Sequence, residues 1–241
     1  MPSLKYGTTT IEYSLQRKAK KNDVTIAVEW SSGVSVVAPL DMSQDDLEVV
    51  IRKKGHWILK KLIEFREIND LQTPLEFLSG EKIQYLGRRY RLKVHQLSID
   101  VKPELKFMNN RFVATIPSSI VANQTEILRN LCVTWLKNKG HEKLQERVKY
   151  YSNMMSLSPS QLVVKDQEKR WGSCTKNGAI LINWRIMMAP MRVVDYVVVH
   201  ELAHLKYHDH SSDFWKMIQS VMPDYEQRKE WLRINGPTLQ L

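Results

Sequence analysis

Residues 189–215 read A-P-M-R-V-V-D-Y-V-V-V-H-E-L-A-H-L-K-Y-H-D-H-S-S-D-F-W and carry the side chains best suited to chemistry. On a helix, His200 and His204 share one face a turn apart, so two imidazoles can grip one metal ion. Glu201 is rotated from His200 by about 100°. That takes it out of the ligand shell and within reach of a water on the metal, the position of a general base. His210 supplies a third nitrogen once the helix has ended. Catalytic zinc takes three protein ligands and keeps a fourth position for water. With 7 histidines in 241 residues, an H-E-x-x-H arises by chance in about one such chain per hundred, and the third histidine lowers that further.

The surroundings point the same way. Val193, Val194, Val197, Val198, Val199, Leu202, Ala203 and Leu205 make the helix apolar around most of its circumference. A carboxylate buried there needs compensation, and a divalent cation is the simplest. Helix formation suits Pro190 in the first turn, and the helix must stop near Tyr207 for His210 to come back to the metal. His208 offers a further imidazole, but it lies close to the helix end, so His210 is the expected third ligand.

The elements that position this segment follow from periodicity. Residues 8–16, 24–30 and 34–38 alternate as strands, with a turn at Ser31-Ser32-Gly33 and an exposed basic connection from Arg17 through Lys20 and Lys21. Ser43 caps a helix expected to run to about Glu67 through Phe65, with Gly55 as an interruption. Residues 70–80 read as a linker. Residues 81–94 and 105–116 read as two hairpins, and Pro117 ends the sheet region. A long helix spans about 123–155, with a basic face of Lys137, Lys139, Lys143, Arg147 and Lys149. Strands at 161–166 and 179–187 suggest a β-hairpin laid directly before the metal helix, and helices from Ser211 and from about Tyr225 close the chain. No internal repeat or low-complexity tract is visible. The expected fold class is α+β: a β-rich half with one helix over residues 1–120, then a compact core over 121–241.

Composition bounds the alternatives. The longest apolar stretches are broken well short of about 18 residues, and no leader-like segment precedes them, so a cytoplasmic protein without a membrane span is expected. Cys132 and Cys174 lack paired spacing, so neither a disulfide framework nor a thiolate zinc site is indicated. Net charge is +10, of which residues 101–170 carry +6. Such a flank either attracts nucleic acid, nucleotides or acidic proteins or is a solvated helix face.

The motif Arg170-Trp171-Gly172-Ser173-Cys174, the run Ile182-Asn183-Trp184-Arg185, His200-Glu201-Leu202-Ala203-His204 and His210-Ser211 with Phe214-Trp215 resemble the YgjP-like metal-dependent hydrolases. These are also described as YgjP-like metallopeptidases, relatives of the SprT-like zincins. The resemblance fits best over residues 160–225 and implies a zincin core, Zn2+ as cofactor, His200, His204 and His210 as its ligands, and Glu201 as the base. It often places Asn before the third ligand, where this chain has Asp209.

Three functions are compatible with these residues. The first is a zinc metallopeptidase, its peptide or protein substrate pairing with the strand 179–185, with Arg170, Trp171, Asn183 and Trp184 lining the cleft. Arg170 is alternatively a partner of Asp166 or Glu168. The second is a metal-dependent pyrophosphatase acting on nucleoside triphosphates, with Arg170, Arg185 and Lys206 replacing a glycine-rich phosphate loop. The third is a non-enzymatic module with a structural zinc, closed by His208 as fourth ligand, whose basic helix binds nucleic acid or protein.

Overall fold

The computed structural model describes residues 2–19, 22–29, 33–70, 74–167 and 170–241, the side chains of 29, 65–70, 121 and 122 excepted. Lys20, Lys21, Trp30, Ser31, Ser32, Glu168 and Lys169 lie outside the described residues, as do the side chains of Phe65 and Glu67. The fold is α+β, and the chain divides into two compact units, Met1–Thr73 and Pro74–Leu241. The boundary expected near residue 120 therefore falls inside the second unit.

In the first unit, strands β1 (Ser3–Tyr6), β2 (Thr9–Lys18), β3 (Thr25–Glu29) and β4 (Gly33–Pro39) form a sheet of order β1-β2-β4-β3. Two antiparallel hairpins meet through a parallel β2–β4 pair. Helix α1 (Gln44–Lys53) opens on Ser43, whose hydroxyl accepts from the Asp46 N–H at 3.1 Å. The single helix expected here breaks at Lys54 into α1 and α2 (Gly55–Asp70). A Cβ on Gly55 would lie 2.3 Å from the Tyr6 ring, so the close approach of helix to strand requires glycine. Leu4, Ile11, Tyr13, Val34, Val36, Leu47, Ile51 and Ile58 form the core.

The second unit begins with β5 (Lys82–Tyr85), β6 (Arg88–Leu97), β7 (Glu104–Met108) and β8 (Arg111–Pro117), in the order β5-β6-β8-β7. This repeats the first sheet, strand for strand and register for register. Leu4 opposite Ile11 corresponds to Ile83 opposite Tyr90, Tyr13 opposite Val34 to Leu92 opposite Phe112, and Ile26 opposite Val36 to Leu105 opposite Ala114. The chain thus contains an internal structural repeat that residue identities hide, because the sheet demands only an apolar inner face and a fixed register.

Helix α3 (Gln124–Met155) covers the inner face of this second sheet. Its Trp135 meets Tyr85 and Phe112 edge-on, each at 4.9 Å between ring centroids, and Leu128, Cys132 and Leu136 are fully buried in the same core. Sheet and helix share that core, which is why the unit cannot be cut at residue 120.

A third sheet follows, of β9 (Gln161–Lys165), β10 (Gly172–Cys174) and β11 (Ala179–Asn183), in the order β10-β11-β9. The expected hairpin of 161–166 with 179–187 is replaced by a parallel β9–β11 pair, and the hairpin is β10–β11. Trp184–Met188 is a 3-10 turn rather than a strand continuation. Helices α4 (Met191–Ala203), α5 (Ser212–Val221) and α6 (Tyr225–Asn235) complete the chain. No helix among the described residues is long and apolar enough to cross a membrane.

Candidate metal centre

Helix α4 is held from three sides. Val193, Val194, Val198, Val199, Leu202 and Ala203 are fully buried. Asp195, also buried, accepts two hydrogen bonds from the Arg147 guanidinium of α3, at 2.6 and 3.0 Å. At the start of the helix, the Pro190 carbonyl accepts from the Val193 and Val194 N–H groups. The β5–β6 turn props that end: Leu86 and Gly87 donate to the Met187 and Met188 carbonyls at 2.8 and 3.1 Å. Gly87 has φ +76°, and a Cβ there would come 2.9 Å from the Pro190 Cα, so both backbone conformation and space demand glycine.

His200 and His204 project from one face of this helix. The helix ends at Ala203, earlier than expected, with the Leu205 and Lys206 N–H groups bonding three residues back to Leu202 and Ala203. No residue from 204 to 211 adopts a positive φ, so the chain returns to the site without a glycine. One ligand atom from each of His200, His204 and His210 lies within 4.8 Å of the others. His200 Nε2 and His210 Nε2 stand 3.2 Å apart. Two nitrogens bound tetrahedrally to one zinc at about 2.0–2.1 Å sit roughly 3.4 Å apart, so the pair fits such an ion. His204 Nδ1 lies 2.9 Å from the Tyr207 carbonyl, an arrangement that leaves Nε2 free for a metal. His208 is exposed and outside this cluster.

An aromatic frame holds the three rings. Phe214, fully buried on the first turn of α5, touches His200, His204 and His210 with centroids 5.1, 4.7 and 4.9 Å away. Trp215 stacks on His210 at 5.6 Å and 22°; Tyr225 and the Lys229 ammonium back Trp215. Sequence reasoning did not assign these residues to the site. The available signal was an aromatic pair placed immediately after the loop bearing the third histidine.

The electrostatics suit a cation. Burial, reinforced by His204, His210 and Lys229, pushes His200 down to about 3, and burial likewise lowers His210. Both rings are therefore neutral with lone pairs to donate near pH 7. Burial pushes Glu201 up to about 8, opposed by the charge of Arg170. Among the described residues, buried Glu201 Oε2 has no hydrogen-bond partner. A carboxyl group so placed is costly until a positive charge arrives. Its other oxygen lies against β10: a Cβ on Gly172 would fall 2.6 Å from Glu201 Oε1.

The remaining expected site residues divide. Arg170 is exposed and near enough to Glu201 to oppose its shift, and it is not paired with Asp166, which binds Arg185 instead. Trp171 is half-buried against Gly236. Asn183 and Trp184, expected to line the cleft, face inward at 3% and 1% exposure. The Asn183 amide donates to the Gln167 and Arg170 carbonyls at 2.6 and 3.1 Å and accepts from the Arg185 N–H, tying Gln167 and Arg170 to the end of β11. Cys174 has its thiol pKa raised by burial and by the Glu201 charge, which disfavours the thiolate.

Comparison with known proteins bears on what such a centre does. No curated protein matches the chain. Among solved structures, the metallopeptidase zymogen abylysin of Pyrococcus abyssi is similar over 39% of this chain and 92% of that one, at 20% identity and a TM-score of 0.35. A family model described as YgjP-like, metallopeptidase domain, matches residues 22–235. That span takes in most of both units and every side chain of the histidine cluster, so the chain belongs to the YgjP-like metallopeptidase-domain family and is a metal-dependent hydrolase.

Proposed function

We propose that the protein is a zinc-dependent peptidase in which His200, His204 and His210 hold the ion and Glu201 is the general base. The observation that carries this reading is the convergence of three imidazoles beside a buried carboxyl group that has an unpartnered oxygen. Bound there, the ion would lower the pKa of a water and polarise a carbonyl. Glu201 takes a proton from the attacking water and hands it to the departing amine. Its raised affinity for protons in this apolar setting suits a group that must both accept and return one.

The substrate strand is assigned to β10. Strand β11, expected to receive the peptide, is central, with both of its edges occupied by β9 and β10. Antiparallel pairing puts the Asn183 N–H on the Trp171 carbonyl and the Thr175 N–H on the Ala179 carbonyl. By the alternation of the ladder, Gly172 and Cys174 then direct their N–H and C=O groups to the open edge. An extended peptide paired there runs past Glu201, with exposed Arg170 beside it as a donor to the developing oxyanion.

Neither rival reading gains a supporting feature. Arg185, wanted for phosphate, is occupied by Asp166 and lies over the Trp184 ring at 4.5 Å. His208, needed to close a structural site, is outside the cluster. The test is zinc-loaded wild type against Glu201→Gln, on an unfolded protein and on a nucleoside triphosphate. Expected are peptide fragments from wild type alone, a loss of about 10²–10⁴-fold in the variant, and equal metal content in both. Pyrophosphate release without peptide cleavage, or full activity in the variant, would overturn it.

A further inference from the structure

The solvent face of the second sheet is cationic in a way that folding does not require. Lys82, Arg89, Arg91, Lys93, Lys106 and Arg111 are all exposed there. Lys82 lies directly opposite Arg91, while Lys93 and Lys106 both oppose Val113 from either side. Like charges facing one another across strands destabilise a sheet. The acidic side chain these strands place on that face, Glu104, is taken by Lys106 at 2.7 Å. The other five cations have no carboxylate partner among the described residues.

The repeated sheet of the first unit provides an internal comparison. Where the second sheet has Lys82 opposite Arg91, the first has Ser3 opposite Glu12; Arg89 and Lys93 correspond in register to Thr10 and Ser14. The same framework is therefore stable with a nearly neutral outer face, and the charge is particular to the second copy. The basic face expected on α3 is different in kind. Lys139 pairs with Glu142 and Lys143 with Glu146 on the same helix, and Arg147 with Asp195 of α4, so three of its five cations are already partnered.

We infer that this face is a docking surface for double-stranded nucleic acid, held through its phosphates without sequence preference. Guanidinium groups at three positions suit bidentate phosphate contacts. The aromatic rings of the sheet, Tyr85, Tyr90, Phe107 and Phe112, pack with one another and with Trp135 on the opposite face. The outer face therefore offers no stacking platform of the kind that holds single strands. Nor does it present the aromatic or leucine wedge that a membrane-surface element inserts.

The test measures binding of the full-length protein to a short mixed-sequence DNA duplex across a salt series, by fluorescence anisotropy. The variant R89T/R91E/K93S installs residues that the first sheet carries in the same register. A control, K137Q/K139Q/K143Q/K149Q, changes net charge by the same amount on α3. Expected are duplex binding by wild type, a loss of at least about ten-fold in the sheet variant, and a salt slope shallower by about 3, at 0.9 per lost phosphate contact. The α3 variant should bind like wild type. If the triple variant is poorly folded, R91Q/K93Q should still reduce the slope by about 2. Equal weakening in both variants, no duplex binding by wild type, or tighter binding to single strands or to acidic phospholipid vesicles would each overturn the assignment. Glu201→Gln should bind the duplex as wild type does, so this outcome is independent of the catalytic reading.

Discussion

Gly172→Ala is the most incisive perturbation of the proposed site, because the change is one methyl group and the structure says where it goes. The new Cβ would lie 2.6 Å from Glu201 Oε1, 2.7 Å from its Cγ and 2.8 Å from its Cδ, where ordinary contact begins at 3.4 Å. The Glu201 side chain must retreat by roughly 0.8 Å from a helix that is itself fixed by buried valines and by the Asp195–Arg147 pair. A displacement near 1 Å of a catalytic group costs about 10²-fold in rate. Stability should fall less: overpacking costs about 1–3 kcal/mol, and the loss of backbone freedom in the unfolded chain returns about 0.4–1 kcal/mol. Gly172 is not in the left-handed region, so alanine adds no backbone strain. The assay is peptide hydrolysis by the zinc-loaded protein, with metal content and urea midpoint measured on the same preparation. The expected result is a kcat lowered about a hundred-fold, with KM and metal content near wild type and no further loss when the change is made in Glu201→Gln. Activity within about threefold of wild type, or a loss explained by missing metal, would refute the positioning role of Gly172.

Other consequences are open to measurement. In the metal-free protein, Glu201, raised from 4.5 to about 8, stabilises the fold fully only below its unfolded pKa, and that stability is lost as pH rises towards 8. His200, lowered from 6.5 to about 3, acts oppositely, losing stability as pH falls below 6.5, so the Glu201 effect stands alone above that point. The unfolding free energy of metal-stripped wild type, from urea titrations, should therefore decline from pH 6.5 towards 8 by up to about 1.4 kcal/mol per pH unit, and Glu201→Gln should abolish the decline. Asp195→Ala leaves the partly exposed Arg147 guanidinium without its partner and should cost about 2–3 kcal/mol in denaturant unfolding, less than a fully buried pair would. Trp215→Ala removes the plate stacked on His210 and should weaken zinc binding by about ten-fold in a chelator competition; an unchanged affinity would show that Phe214 alone orients the ring.

What could be seen in the residues beforehand depended on range. The helix bearing His200, Glu201 and His204, the long α3 and the hairpins of the second sheet are set by local period and turn chemistry, and all were legible. The parallel pairs β2–β4, β6–β8 and β9–β11 join segments far apart in the chain, and no local pattern announces them. The repeat stayed hidden for that reason, since its likeness lies in pairing register. Asn183 and Trp184 were assigned to the cleft from a strand taken as an edge, whereas β10 occupies that edge and both side chains are buried. Phe214 carried part of the family resemblance but received no role at the site, because a core phenylalanine and one framing three imidazoles look identical in sequence.

The strut from Leu86 and Gly87 to the turn before α4 bears on how short a working fragment can be made. A truncation starting at residue 121 would keep every histidine and Glu201 yet remove the support under Pro190, and would strip Trp135 of its aromatic partners. A fragment starting at Pro74 retains both. The smallest autonomous hydrolase in this chain is therefore set by what braces the metal helix from outside.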